Sequence, residues 1–493
     1  MQELPNSGLT TRNALAWSFA QRYSGLLISL TSTVILARLL TPHQVGIFSL
    51  CAAFMAIAAI LRDFGVTEYL IQEKDLNKDK LKAAVAMAFI IAWPAGLLIW
   101  FGRSAIAEFY DEQGVKEVLA VLSINFAVLP FATPAFALLT REMEFKKIYV
   151  INTISATIGA TTSVTLAYMG HGYMSLAWGS AVGVISDLII VSILRPKDSW
   201  VMPSVIGLRR VANYGGMFAA ARVIDVASSN SHEFIIAKKM DFESVGLFSR
   251  AYGLFLMFYQ NFTSAILRVA LPVFARDHRN GSGLADAFSK STAMVTVIAW
   301  PFYLFLSIMS EDIINLMFGD QWIASAAIAS ILAIAKLPGA LTTMGPTILA
   351  ATGHVKFRLK MTLIYAPIHV LSIYIASHWG LLAMAAAFGV TSVLATLHYA
   401  ISLPRLIKCK MIELFIESKN SAYVAIACLM VQVGTKSVCE DLELNMFFSL
   451  VLVAVSTAIT WLAAIRLFKH VIYTEMESMF AVLIVKLGKY KRS

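Results

Sequence analysis

The chain has 493 residues, of which 58% are hydrophobic and only 14% are charged. This composition excludes an ordinary soluble protein and is typical of one that crosses a membrane many times. Its net charge of +10 is spread over short segments between apolar stretches, which indicates cytoplasmic loops and argues against nucleic-acid binding.

The first apolar stretches predict six transmembrane helices, because about 20 apolar residues cross the hydrocarbon as a helix. They lie at residues 16–39, 45–63, 82–102, 115–139, 148–168 and 173–194. Gly179 and Gly183, in the sixth, have the spacing that allows close contact with a neighbouring helix.

The following apolar stretches predict six more helices and then a final pair. The six lie at 211–235, 245–269, 288–309, 323–350, 359–377 and 380–402, and the pair at 420–438 and 445–467. Residues 470–493 combine apolar residues at helical spacing with a basic end, which predicts an amphipathic cytoplasmic tail in the membrane interface. The predicted fold is therefore an all-α polytopic membrane protein of about 14 transmembrane helices.

The two sets of six helices carry traces of a duplication. The pentapeptide Val45–Ser49 recurs 200 residues later as Val245–Ser249, and at the same offset Arg22 matches Arg222. Because each set has an even number of helices, both begin on the same side of the membrane and the repeats are parallel.

The repeat and the loop charges together predict the organisation of the chain. We expect a six-helix lobe at 1–205, a second six-helix lobe at 206–408, and an extra helix pair with its tail at 409–493. Most Lys and Arg residues between the spans then fall on one side, which predicts that the N- and C-termini are cytoplasmic.

Four basic residues lie well away from the ends of the predicted spans, namely Arg22, Arg222, Arg250 and Lys336. A cation at the centre of a span costs about 2.5 to 3.5 kcal/mol, so such residues usually face a partner or a wet cavity. We interpret all four as candidate substrate-binding residues that receive an anionic group. The alternatives are that Arg222 only pairs with Asp225 one turn away, and that Arg250 only reaches the outer headgroups.

Two carboxylates accompany Arg222 on its helix. Asp225, Ser229 and Glu233 all lie within about 60° of Arg222 on a helical wheel. The matching positions of the first repeat carry no acid. Asp225 and Glu233 are therefore candidates for coupling transport to an ion.

Catalytic and metal-binding patterns are absent from the sequence. No connecting segment approaches the roughly 50 residues that a folded domain needs. No glycine-rich phosphate loop, zinc-binding motif or nucleophile motif occurs either. We therefore expect a protein that is not an enzyme and that holds neither a cofactor nor a metal.

Several short motifs resemble those of the bacterial polysaccharide-transport flippases, within the multidrug/oligosaccharidyl-lipid/polysaccharide exporter superfamily. In chain order they are Ile35–Pro42, Val45–Phe48, Asp63–Val66, Leu70–Lys74, Arg141–Phe145, Gly246–Ala251, Leu271–Arg276 and Phe318–Trp322. The resemblance covers most of residues 10–405. It is most similar to the branch that contains the colanic-acid and succinoglycan exporters.

The resemblance implies a multi-pass protein of the bacterial inner membrane. Such a protein moves polyprenyl-diphosphate-linked oligosaccharide repeat units across that membrane by alternating access, for exopolysaccharide or lipopolysaccharide biosynthesis. It also implies contact with membrane lipids and with the polysaccharide polymerase and export machinery. Arg22 and Arg222 fit the cationic cavity of this family, and Arg250 lies in one of its motifs.

Two other functions remain open at this point. One is an ion-coupled exporter of drugs or metabolites on the same fold, although an amphipathic or cationic drug would favour an acidic cavity. The other, from a different class, is a membrane polysaccharide polymerase or ligase, which would need a larger extracytoplasmic loop than this sequence has.

Overall fold

The computed structural model describes residues 7–63, 65–73, 75–205, 207–208, 222–258, 264–281, 283–407 and 411–477. All regular structure within these ranges is helical. The chain divides into two compact units, Met1–Gly246 and Leu247–Ser493. The lobe boundaries predicted after residues 205 and 408 stay predictions.

The first unit contains ten helices among its described residues and the start of an eleventh. In chain order they are α1 Ser7–Leu39, α2 Pro42–Asp63, α3 Val66–Gln72, α4 Lys78–Tyr110, α5 Gln113–Arg141, α6 Phe145–Tyr168, α7 Met174–Leu194, α8 Pro196–Ser199, α9 222–229 and α10 Ser231–Lys239, followed by α11 Phe242–Phe258.

The second unit begins within α11. Its further helices are α12 Ser264–Asn280, α13 Leu284–Phe318, α14 Ala324–Ala335, α15 Gly345–Ala351, α16 Val355–Ala376, α17 Leu381–Ile407, α18 Met411–Asp441, α19 Met446–Leu467 and α20 471–477. Short 3-10 helices lie at Asp320–Trp322, Pro338–Thr342 and Ser377–Trp379.

Ten helices of the described chain are long and apolar enough to cross a membrane, and a bent pair supplies an eleventh candidate. The bent pair is Ala324–Ala335 with Pro338–Ala351, which meet at 43°. These candidates match eleven of the predicted spans in order, so the all-α multi-pass fold is confirmed. The count of about 14 is not confirmed.

The three unmatched spans are the first, seventh and eighth, which carry Arg22, Arg222 and Arg250. The first is a helix of 33 residues, but the polar residues around Arg22 lower its hydropathy. The seventh lies partly at 209–221 and the eighth partly at 259–263, outside the described residues. The predicted tail is likewise described only as far as residue 477.

Glycines allow two close helix contacts in the first unit. A Cβ built on Gly179 of α7 would lie 1.7 Å from Ser163 Oγ and 2.8 Å from the Gly159 carbonyl oxygen on α6. No side chain fits there, so the close contact predicted for Gly179 is confirmed.

The second contact joins the two copies of the repeated pentapeptide. A Cβ on Gly46 of α2 would lie 1.8 Å from the Phe242 carbonyl oxygen, and one on Gly246 of α11 would lie 2.0 Å from the Pro42 carbonyl oxygen. Pro42 and Phe242 are themselves related by the 200-residue offset. The contact is therefore reciprocal.

The C-terminal helices support a proline-containing helix of the second unit. Pro301 lies inside α13 and cannot bond the Val297 carbonyl, which instead accepts a hydrogen bond of 2.8 Å from Trp461 Nε1 of α19. The Pro301 carbonyl accepts one of 3.1 Å from Gln432 Nε2 of α18. The extra helix pair thus satisfies the Val297 carbonyl that the proline leaves open and adds a bond to the Pro301 carbonyl.

A buried histidine lies at the end of this helix group, just after α19. His470 follows α19 and is completely buried. Its Nδ1 accepts the Ile472 N–H at 3.1 Å, so Nε2 carries the proton and donates to Ser421 Oγ at 3.0 Å. Burial lowers the pKa of His470 to about 4. Beyond it, Ile472 and Met476 of the predicted tail pack against protein core.

Candidate functional site

The first part of the candidate site depends on α3, a short helix that continues the direction of the chain beyond α2. Gly65 separates the two with a φ of 70°, which a glycine adopts without strain. Arg141, at the end of α5, donates from Nη1 to the Leu70 carbonyl at 2.8 Å and to the Glu73 carbonyl at 2.6 Å. These bonds satisfy the carbonyls at the end of α3 and fix its position.

Helix α3 positions the ion-pair partner of Arg222. The Arg222 Nη1 atom lies 3.8 Å from Glu68 Oε1, and the two side chains are 60% and 49% exposed. An ion pair this long and this accessible contributes little to stability. Arg222 therefore pairs with Glu68 on another helix and not, as its own helix suggests, with Asp225. Because the pair is weak, another anion can replace Glu68.

The predicted stripe of Arg222, Asp225, Ser229 and Glu233 does not continue on one uninterrupted helix. A turn at Asn230 separates α9 from α10. Before the turn, Ser229 is exposed and its hydroxyl donates to the Asp225 carbonyl at 2.7 Å.

After the turn, the environment is different. Glu233 is buried at 6% exposure beside His232, which is 1% exposed, with 3.6 Å between Glu233 Oε1 and His232 Nε2. The two ion-coupling candidates therefore occupy different surroundings, Asp225 half-buried on α9 and Glu233 within the protein interior on α10.

Two further arginines lie on helices of the first unit. Arg22 is half-buried on α1, which packs against α6 through the rings of Trp17 and Tyr149, 5.3 Å apart. Arg62 is half-buried near the end of α2, with its guanidinium carbon 5.9 Å from the centre of the Phe126 ring.

Sequence reasoning missed Arg62 because the predicted span ended at residue 63. In the structure, α2 and α3 together form a candidate span of 31 residues, Pro42–Gln72, which places Arg62 well inside it. The available signal was the apolar run around Leu70, which extends the hydrophobic length beyond Gly65.

The second unit places Arg250 against aromatic rings. Its guanidinium carbon lies 4.8 Å from the centre of the Trp322 ring and 5.1 Å from that of Phe318. Both rings are almost completely buried. Within the described chain, the Nε atom of Arg250 has no hydrogen-bond partner. This arrangement attracts the cation to the ring faces and keeps it inside the helix packing.

Lys336 occupies the break between the two parts of the bent pair. Its ammonium nitrogen lies 4.8 Å from the centre of the Phe388 ring and 5.2 Å from that of Phe255. Trp300 Nε1 donates to the Leu337 carbonyl at 2.9 Å, and Thr396 Oγ1 donates to the Pro338 carbonyl at 3.0 Å. Side chains thus satisfy the carbonyls that the break exposes.

A histidine shares the aromatic surroundings of Lys336. The His369 ring stands nearly perpendicular to Phe388, with 4.7 Å between ring centres, and its Nδ1 lies 3.1 Å from Thr391 Oγ1. The ring faces of Phe255 and Phe388 offset part of the cost of a cation at this depth.

Taken by unit, the predicted site residues form two groups. Arg22, Arg222, Asp225 and Glu233 belong to the first unit, whereas Arg250 and Lys336 belong to the second. Of the first group, Arg222 is accessible and only loosely paired, which suits reversible binding of an anion such as a phosphate. In the described part of the chain, no group of three or more His, Cys, Asp or Glu side chains could hold a metal ion.

Comparisons with known proteins identify relatives in polysaccharide biosynthesis. The Polysaccharide biosynthesis protein family matches residues 35–327. The Lipopolysaccharide biosynthesis protein WzxC of Escherichia coli K12 is 23% identical over 390 residues, which cover 77% of each chain. The Succinoglycan biosynthesis transport protein ExoT of Rhizobium meliloti is 24% identical over 334 residues, which cover 67% of each chain.

Two solved structures share the fold. The Lipid II flippase MurJ, in an inward closed conformation, matches with a TM-score of 0.71 and 14% identity over 94% of this chain and 99% of that one. An inward-facing multidrug resistance transporter of the MATE family matches with a TM-score of 0.57 and 14% identity over 76% and 92% of the two chains.

Proposed function

Because the chain belongs to the Polysaccharide biosynthesis protein family, we propose that it is a flippase for lipid-linked oligosaccharides. Its cargo is a polyprenyl-diphosphate-linked repeat unit, which passes from the cytoplasmic to the opposite leaflet by alternating access. The product then enters exopolysaccharide or lipopolysaccharide biosynthesis. The observation that carries the proposal is the family match over more than half of a chain with at least ten apolar spans.

The physical problem of such a flippase is the polar end of its cargo. A diphosphate with its sugars cannot enter hydrocarbon unaided, whereas the polyprenyl chain can stay in the lipid throughout. The protein must therefore supply cations and water-accessible space for the polar end, and it needs no covalent chemistry. We accordingly propose a transporter rather than an enzyme.

Arg22 and Arg222 are the residues that we propose to bind the diphosphate. Both are accessible to some degree, and a guanidinium can donate two parallel hydrogen bonds to phosphate oxygens. Glu68 lies 3.8 Å from Arg222, and we propose that the diphosphate takes its place. Arg62 is a further candidate because it lies within the span formed by α2 and α3.

Lys336 and Arg250 have smaller proposed roles. Lys336 assists by adding positive charge at the bend of its span, and Arg250 contributes through the packing of α11. We propose Asp225 and Glu233 as the groups that couple transport to an ion. The buried Glu233, beside His232, is the more suitable of the two to exchange a proton with its surroundings.

The setting follows from the same proposal. The protein lies in the bacterial inner membrane with both termini in the cytoplasm, and the lobes at 1–205 and 206–408 rock against each other around the cargo. Its working partners are the membrane lipids and the polymerase and export machinery that consume the flipped unit. The fold itself also suits a drug exporter, as in the MATE transporter, but the relatives by sequence are polysaccharide proteins.

A deletion strain tests this function. Loss of the gene should abolish export of the polysaccharide and leave the lipid-linked repeat unit in the cytoplasmic leaflet. The wild-type gene should restore export, and Lys290→Ala should restore it equally, because Lys290 pairs with Asp286 near an exposed helix start. Unchanged export after deletion, in a strain without a second flippase, would overturn the proposal.

A further inference from the structure

An apolar groove lies between α4 and α5 on the surface of the first unit. It has a volume of about 290 Å³ and is lined by Trp93, Gly96, Leu97, Trp100, Ser123 and Phe126. A Cβ on Gly96 would lie 2.7 Å from Phe126 Cβ, so the absent side chain at 96 lets the helices approach while the larger residues form the walls. The groove has roughly twice the volume of a 150 Å³ cavity that holds a benzene molecule.

The groove and Arg103 together extend over about half the thickness of the hydrocarbon. The charge-free part of α4 runs from residue 83 to residue 102 and covers about 30 Å at 1.5 Å per residue, which is the thickness of the hydrocarbon. Arg103 therefore lies at the headgroup level of one membrane surface. Trp93, ten residues earlier, lies about 15 Å deeper, near the middle of the bilayer.

A cation stands at the headgroup end of the groove. The guanidinium carbon of Arg103 is 3.9 Å from the centre of the Trp100 ring, and its Nη1 donates to the Trp100 carbonyl. Among the described residues, no carboxylate pairs with Arg103. The guanidinium is thus held beside the groove, and a guanidinium has further N–H donors that an anionic ligand can use.

We propose that this groove binds the polyprenyl chain of the lipid-linked oligosaccharide after flipping, with Arg103 on the diphosphate. The site deepens the proposed function and depends on it. On the predicted topology Arg103 faces the extracytoplasmic leaflet, where the product arrives. The arrangement of Arg103, Trp100 and Trp93 matches an anionic group followed by the first part of an apolar chain, both in charge and in depth.

Photolabelling tests the site. The full-length protein is placed in phosphatidylcholine vesicles with a polyprenyl diphosphate that carries a diazirine in the first few isoprene units of its apolar chain. We expect labels on residues 93–100 and 123–127. Ala127→Trp, which fills the groove from its exposed wall, should reduce labelling about tenfold, because it excludes at least two CH2 groups. Arg103→Gln should reduce it about fivefold.

The control is Leu98→Trp, which adds similar bulk to a residue that is 77% exposed outside the groove lining. It should label as the wild type does. Equal labelling of Ala127→Trp and wild type would overturn the site. Equal competition by phosphatidylglycerol and by unlabelled polyprenyl diphosphate would also overturn it, since the groove would then accept any anionic lipid.

The same vesicles separate this inference from the proposed function. If the protein is labelled in the groove but does not flip a lipid-linked oligosaccharide, the proposed function is contradicted and the groove remains a polyprenyl-binding site. A protein that flips the cargo with no label at residues 93–100 or 123–127 would contradict the groove alone.

Discussion

The two units of the molecule accommodate membrane-embedded cations in different ways. In the first, Arg222 is 60% exposed and meets Glu68 at 3.8 Å. In the second, Arg250 and Lys336 lie against aromatic ring faces, at 4.8 Å from Trp322 and from Phe388. A loose ion pair can open for an incoming anion, whereas a cation inside packed rings gives up packing energy when it leaves. From this difference we propose that ligand binding belongs mainly to the first unit and structural support mainly to the second.

The largest effect should come from removing both repeat-related arginines. Arg22→Ala combined with Arg222→Ala removes two charge-assisted contacts to the diphosphate, each of about 1.5 to 3 kcal/mol, so export per molecule should fall about a hundredfold or more. Secreted polysaccharide, normalised to protein in the membrane, measures this effect. Near-normal export with normal abundance would move the binding site away from these residues.

Arg250 should affect stability more than transport. Arg250→Ala removes two ring contacts and the packing of the side chain, which should lower the free energy of unfolding by about 2 to 4 kcal/mol. The melting temperature of the purified protein measures the loss. Arg250→Met keeps most of the bulk without a buried charge, so it should melt closer to the wild type and retain export. A well-folded Arg250→Met without export would instead place Arg250 at the ligand.

His470 should make the second unit sensitive to acid. Its pKa is lowered to about 4 in the folded protein by burial, whereas in the unfolded chain it is about 6.5. The unfolded state therefore binds more protons between these values, and stability should fall as the pH drops below 6.5, by about 3 kcal/mol at pH 4. Melting temperatures between pH 7.5 and 4.5 test this against His470→Asn, whose profile should be flatter. If the melting temperatures of the two proteins fell in parallel with pH, His470 would not be the source of the acid sensitivity.

Lys336→Met should have the smallest effect. Methionine keeps the contacts with the rings of Phe255 and Phe388, so we expect export per molecule to fall by no more than about threefold. The same export assay applies. A tenfold or larger loss with an unchanged melting temperature would place Lys336 among the main ligand-binding residues and weaken the contrast between the units.

Hydrophobic length and small-residue spacing are local properties, and the features that depend on them could be predicted from the sequence. The predicted spans that match candidate membrane helices, and the contact at Gly179, belong to this class. The repeated pentapeptide was also visible in the sequence. The contact of Gly46 and Gly246 with each other's helices could not be predicted, because sequence similarity gives no distance between the repeats.

The surroundings of the cations could not be predicted, because their partners are remote in the chain. Glu68 reaches Arg222 from α3, and Phe255 and Phe388 reach Lys336 from two different helices. Nothing within a helical turn of either cation indicates these neighbours. Arg62 was missed for a different reason, since Gly65 resembles a helix end and conceals the continuation into α3.

The most direct test of the central claim is a flipping assay with the purified protein in vesicles. A polyprenyl-diphosphate-linked oligosaccharide is placed in the inner leaflet, and its appearance outside is followed with a membrane-impermeant lectin. The wild type should expose the sugar, and Arg22→Ala with Arg222→Ala should leave it inside even though the variant melts like the wild type. Equal exposure by both proteins would contradict the assignment of these arginines, and no exposure by the wild type would contradict the proposed function itself.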